Sequence, residues 1–170
     1  MNLTNLLSNL LPSIIIAVLA YYFFKTQMQN EHSKRKHNTI YKNKKLTLPI
    51  RLQAYERITL FLERINPSQL LIRVKPIGNL KEDYASLLVS TIEQEYEHNL
   101  SQQIYVSEES WSIVVSAKNT ISKIISDTTK QTDITNAQEL REGILTAILK
   151  TSPPTTVALS NLKNEVALLF

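Results

Sequence analysis

The chain is predicted to be all-α: an N-terminal transmembrane helix followed by a cytoplasmic bundle of about five helices. Three observations lead there. Only two glycines, Gly78 and Gly143, occur in 170 residues, and many-stranded folds need far more turn residues than that. Beyond residue 46, apolar side chains recur at helical rather than alternating spacing. Near the N-terminus stands one uncharged stretch, LLSNLLPSIIIAVLAYYFF, residues 6–24.

That stretch is the first element. As a helix it is ~28 Å long, close to the ~30 Å of hydrocarbon a single span must cross. Ser8, Asn9 and Ser13 moderate its first half. Tyr21 and Tyr22 fall where interfacial aromatics belong, and Lys25 closes the span. A cleaved signal peptide is the competing reading. No Lys or Arg precedes the apolar run, however, and aromatics rather than small residues follow it, so a retained anchor is expected. Ser13 and Ala17 form a small-xxx-small pair, a pattern common by chance.

Residues 25–46 read as a basic juxtamembrane linker. Lys25, Lys34, Arg35, Lys36, Lys42, Lys44 and Lys45 face only Glu31 there, whereas residues 46–170 carry twelve basic and fourteen acidic side chains. The net charge of +4 thus belongs to a short stretch beside the apolar run. A folded nucleic-acid binder would carry its positive face on the domain itself, so no nucleic acid is expected as partner. The positive-inside bias puts the C-terminal domain in the cytoplasm and the N-terminus outside, a single pass of the inner membrane. The same seven basic residues are candidate lipid contacts. His32 and His37 read as solvated.

Residues 47–170 form the predicted helical domain. Thr47 is suited to cap its first helix, with Pro49 in the opening turn. On a helical wheel Ile50, Ala54, Tyr55, Ile58, Phe61, Leu62 and Ile65 share one face. Arg51 intrudes on that face near its end. Leu60 stands on the opposite face among Glu56, Glu63 and Arg64, and these charges lack opposite partners three or four residues away. The four are the candidate partner surface. Asn66-Pro67-Ser68-Gln69 resembles a helix start, although Ile72 and Val74 also alternate as a strand would. Asn79 with Glu82 predicts a long helix to about Leu100, with Leu80, Tyr84, Leu87, Leu88, Thr91 and Ile92 as its spine. Residues 102–106 are a connector. Ser107 caps a helix whose inner face is Trp111, Val114, Ala117, Ile121, Ile124, Ile125 and Thr128. Asn136 with Glu139 starts a helix carrying Leu140, Ile144, Leu145 and Ile148. After Pro153-Pro154, a last helix aligns Leu159, Leu162, Val166 and Leu169, with Phe170 beside them.

Chemistry is thin. Without cysteine, disulfides, thiolate sites and cysteine nucleophiles are excluded. His98 is the one histidine beyond residue 46, and no GxxxxGK[ST] or GxGxxG occurs. Glu95-x-x-His98 has the step used in di-iron bundles, but its second copy is missing, and the residues read as a solvated helix end. No catalytic residue, metal or cofactor is expected.

The phrases LPIRLQAYERITLFLERINP, QLLIRV and EYEHNLSQQIYVS resemble an uncharacterised family of membrane-anchored proteins of the Bacteroidota. The resemblance runs through anchor and domain alike. It implies a single-span protein with a small cytoplasmic domain, and no activity or catalytic residue comes with it. The expected function is a membrane-anchored, non-enzymatic interaction module, an accessory or scaffold subunit of a membrane-associated complex. Its partners are the lipid bilayer and an unidentified protein, a second copy of the chain among the candidates. A lipid-surface organiser acting through the basic stretch is the alternative, with an enzyme lacking any recognisable motif behind it.

Overall fold

In the computed structural model, backbone is described for residues 3–149 and 153–170 and side chains for 15–28, 46–149 and 153–170. Six α-helices are found there: α1 (Leu3–Ile65), α2 (Pro67–Arg73), α3 (Lys81–Asn99), α4 (Glu108–Thr129), α5 (Ala137–Leu149) and α6 (Pro154–Ala167). A 3-10 segment, Leu100–Tyr105, joins α3 to α4, and no strand occurs among the described residues. The chain divides into two units, Met1–Thr47 and Leu48–Phe170.

In the first unit the backbone is helical from Leu3 onward. Two expectations change as a result. Residues 25–46, read as a linker, are helical, because they contain neither glycine nor proline and are rich in Lys, Arg and Gln, which favour helix. Helix also continues through Thr47 and Pro49, so Thr47 is not a cap. A proline inside a helix removes one N–H donor and strains one carbonyl, but it does not oblige the chain to reverse. Among the described residues no helix is long and apolar enough to cross a membrane. Residues 6–14 of the expected span lie outside those whose side chains are described, as do Lys34, Arg35, Lys36, Lys42, Lys44 and Lys45.

In the second unit one core runs through every helix. From α1 it takes Tyr55, Ile58, Phe61, Leu62 and Ile65; from α2, Leu70 and Leu71; from α3, Tyr84, Leu88 and Ile92. Val114, Ala117, Ile121 and Ile125 of α4 meet Leu140, Ile144 and Ile148 of α5 and Ala158 and Leu162 of α6. α4 is the central element and packs against α3, α5 and α6. The predicted faces of α1, α3, α4 and α5 supply most of this core, with Leu87, Thr91 and Leu145 only half-buried, whereas of the predicted α6 stripe only Leu162 is buried and Phe170 is exposed. Ile50 and Leu80 are exposed, while Trp111, Ile124, Leu159, Val166 and Leu169 are half-buried.

Beyond Thr47, the expected Asn and Ser caps form as local chemistry predicts, with one exception. Asn66 Oδ1 accepts from the Ser68 N–H (3.2 Å), so residues 67–73 are a helix and not a strand. Ser107 Oγ accepts from the Ser110 N–H (3.1 Å). Asn136 Oδ1 accepts from the Glu139 N–H (2.9 Å), and the Glu139 carboxylate accepts from the Thr135 N–H and hydroxyl (2.6 and 2.8 Å). Those Thr135 bonds hold the Glu139 carboxyl below the usual carboxylate range. Asn79 does not cap α3; Leu80 stands at that position without a side-chain bond. Instead the Asn79 carbonyl accepts from the Ala137 N–H (3.0 Å), and Lys81 Nζ donates to the Ile134 carbonyl (2.7 Å). The α2–α3 connection is therefore tied to the start of α5.

A polar clasp joins α1, α4 and α6. Glu165 of α6 accepts from the Tyr55 hydroxyl (2.7 Å), the Ser107 N–H (2.9 Å) and the Ser107 hydroxyl (2.9 Å). Arg51 donates to Tyr55 Oη (2.9 Å) and to the Tyr105 carbonyl (3.0 Å), with its guanidinium 3.6 Å from Glu165. Arg51, which looks misplaced on the apolar face, thus has a partner one turn along α1 and partners from two distant parts of the chain. Burial and the bond to Glu165 push the Tyr55 phenol up to about 12. Burial alone would raise the Glu165 carboxyl, but its hydrogen bonds outweigh that and lower it.

Gly143 sits where a Cβ would come within 2.7 Å of Ile134 Cδ1 and 2.9 Å of Thr128 Cγ2. Gly143→Leu is expected to destabilise the bundle by ~1–3 kcal/mol in urea unfolding, because inserted volume must displace packed neighbours. The clasp predicts a two-sided pH response. A raised Tyr55 pKa means stabilisation that is full below about pH 10 and lost as pH rises through about 12. A lowered Glu165 pKa means stabilisation that is full above the ordinary carboxylate range and lost as pH falls below it. Unfolding of Tyr55→Phe should therefore vary less than wild type between pH 9 and 11, and unfolding of Glu165→Gln less between pH 6 and 3.

Candidate functional site

Helix α1 has two faces beyond residue 50. One is the core stripe already described. The other carries Gln53, Glu56, Arg57, Leu60 and Arg64 along the rim of a groove of about 440 Å³. Phe61 forms its floor, and Glu95, His98 and Asn99 from the last turn of α3 form the far wall. Leu60 remains 54% exposed within it.

Glu95 holds the groove in shape. Its carboxylate accepts from Arg64 Nη1 (3.1 and 3.2 Å) and from Arg73 Nη1 (2.7 Å). Arg73 Nη2 also donates to the Arg64 carbonyl (3.3 Å). One acidic group thereby fastens α1, α2 and α3 together. Burial would raise its pKa, yet the two guanidiniums prevail and hold the carboxyl below the usual range. Paired charges of this kind cost less to desolvate than a lone one.

Behind the groove lies an aromatic stack. The rings of Phe61 and Tyr96 are 6.1 Å apart, and those of Tyr96 and Trp111 are 5.8 Å apart and nearly parallel. Lys118 Nζ stands 4.7 Å over the Tyr96 ring and bonds both Glu93 oxygens at 2.6 and 2.8 Å. The carboxylate and the ring are the partners that a lysine so nearly buried requires. The groove floor is therefore braced by α3 and α4.

Of the four residues proposed from sequence as a partner surface, Glu56, Leu60 and Arg64 line this groove. Glu63 is exposed on α1 outside its lining. Sequence reasoning missed Glu95, His98 and Asn99. Glu95 had been assigned to a solvated helix end, but its side chain is only 12% exposed. The available signal was indirect: Arg64 and Arg73 both lacked a local carboxylate, and α3 offered one. Chemically the site is an exposed apolar side chain ringed by groups of both charges. Among the described residues, no three His, Cys, Asp or Glu side chains come together to hold a metal ion. A second groove, about 510 Å³ between α3 and α4, is lined mostly by short side chains such as Ala85, Ser86, Val89 and Ser90, with no exposed anchor like Leu60.

A family model described as a family of unknown function (DUF7935) matches residues 1–169. Neither the curated proteins nor the solved structures contain a match.

Glu95→Gln should leave the two guanidiniums sharing one weak acceptor. The expected result is faster amide exchange confined to α2 and the end of α3, with a stability loss of ~1 kcal/mol, the scale of a partly exposed ion pair. Unchanged exchange in α2 would mean that Glu95 does not fasten it.

Proposed function

The chain belongs to the DUF7935 family of unknown function, and on that premise we propose that it is a membrane-tethered, non-enzymatic interaction module. The observation that carries this reading is the surface of α1 over residues 15–24. Ile15, Ile16, Val18, Leu19, Tyr21, Tyr22, Phe23 and Phe24 are all exposed there. A helix apolar around its whole circumference belongs in an apolar surrounding. The uncharged residues 6–14, which precede it in sequence, extend the segment to a length compatible with one span. The basic residues that follow favour a cytoplasmic location for the bundle and an inner-membrane, single-pass arrangement. The resemblance to single-span Bacteroidota proteins supports the same reading.

The tether sets location, and the groove centred on Leu60 supplies the contact, as part of an accessory or scaffold subunit of a membrane complex. Leu60 offers apolar surface for a partner to cover, and Arg57 and Arg64 beside it are of a residue type in which binding energy concentrates.

Tagged full-length protein expressed in its native membrane should stay in the pellet after alkaline carbonate washing, and release into the supernatant would refute the tether. Crosslinking on those membranes should yield a neighbour whose crosslinks fall along α1 and the end of α3. Leu60→Asp should reduce that yield about tenfold or more, a cost of ~1.4 kcal/mol or above, while helicity by circular dichroism stays unchanged. Equal recovery with Leu60→Asp would remove this groove as the contact.

A further inference from the structure

We infer that the four consecutive aromatic rings at residues 21–24 form a collar lodged in the headgroup layer of a phospholipid bilayer, where it sets the depth at which α1 enters the membrane. This rests on the tether reading and adds to it a specific lipid layer and a register.

Successive helical residues are rotated by about 100°, so four in a row occupy nearly the full circumference. The Tyr21, Tyr22, Phe23 and Phe24 side chains are 63 to 66% exposed, so no other part of this chain covers any side of the collar. A packed helix or second copy of the chain would cover one stripe, whereas a lipid phase surrounds all sides. The rings also brace one another: Tyr21 meets Tyr22 edge-on at 5.9 Å, and Phe23 meets Phe24 at 6.2 Å. Lys25 Nζ stands 6.0 Å from the Tyr21 ring centroid, which sets a cation directly against the aromatic band.

The side chains on either side define two media. Before the collar come Ile15, Ile16, Ala17, Val18, Leu19 and Ala20, with no polar group. After it come Lys25, Thr26 and Gln27. Tyr21 and Tyr22 have an apolar body and a polar tip and favour the layer between hydrocarbon and water, and Phe23 and Phe24 add apolar rings beside them. A cation beside them adds attraction to anionic headgroups. The collar is therefore placed where the helix passes from one medium to the other, and sliding in either direction would expose aliphatic side chains or bury Lys25.

The chain has no cysteine, so single labels can be introduced without background. Full-length Ala17→Cys, Ala20→Cys, Thr26→Cys and Met28→Cys would each carry a nitroxide in vesicles of phosphatidylcholine and phosphatidylglycerol. Relaxation by oxygen, which concentrates in hydrocarbon, is compared with relaxation by a water-soluble nickel chelate. Positions 17 and 20 should prefer oxygen and 26 and 28 nickel, with the crossing at the collar. Replacing all four aromatics by leucine keeps the segment apolar and helical. It should move the label at 26 toward the hydrocarbon by about 3 Å, two residues of helical rise. An unmoved crossing in the leucine variant overturns the collar while leaving the tether intact. Nickel preference at all four positions overturns both. Shielding of 17 or 20 from both reagents would mean a protein neighbour there and overturns the collar.

Discussion

The bundle depends on a single stripe of α1. Tyr55, Ile58, Phe61, Leu62 and Ile65 enter one core shared with the other five helices. Short helices such as α2 and α5 are marginal in isolation and are held by the apolar face they bury. The shared core supplies that face, with α5 packed against α2, α3 and α4. Because the stripe occupies one side only, the other side is left for charged groups and for Leu60. Core and groove are two consequences of one helical period.

Polar groups then decide how precisely the helices meet. Glu165 gathers bonds from α1 and from the cap of α4, Glu95 gathers arginines from α1 and α2, and Glu93 answers Lys118. Apolar contact is tolerant of sliding, whereas a carboxylate with several donors is satisfied in one arrangement. Each clasp joins elements far apart in sequence. They add orientation to a core whose burial already supplies most of the attraction.

The two units answer to different surroundings. The Leu48–Phe170 unit follows the rule for proteins in water, with apolar stripes inward. In the described part of Met1–Thr47, apolar side chains point outward on all sides. The same physical effect, minimising apolar surface against water, is met by packing partners in the second unit and, under the proposed tether, would be met by an apolar medium in the first. The proposed assignment of the N-terminal segment to lipid rests on that contrast.

Periodicity and caps were legible from residues alone. The inner faces of α3, α4 and α5, the starts at Asn66, Ser107 and Asn136, and the outward position of Leu60 all follow from spacing and short-range hydrogen bonding, which are local properties. Tertiary structure decided the rest. Asn79 looked like a cap, but its carbonyl was recruited by Ala137. Arg51 looked stranded until Tyr105 and Glu165 reached it, and Glu95 looked solvated until two arginines closed on it. Pro49 looked like a boundary, yet the helix continues through it. Local sequence specifies which groups need a partner, because that need is set by their own chemistry. Only the folded chain determines which distant group meets it, because that depends on how the helices pack.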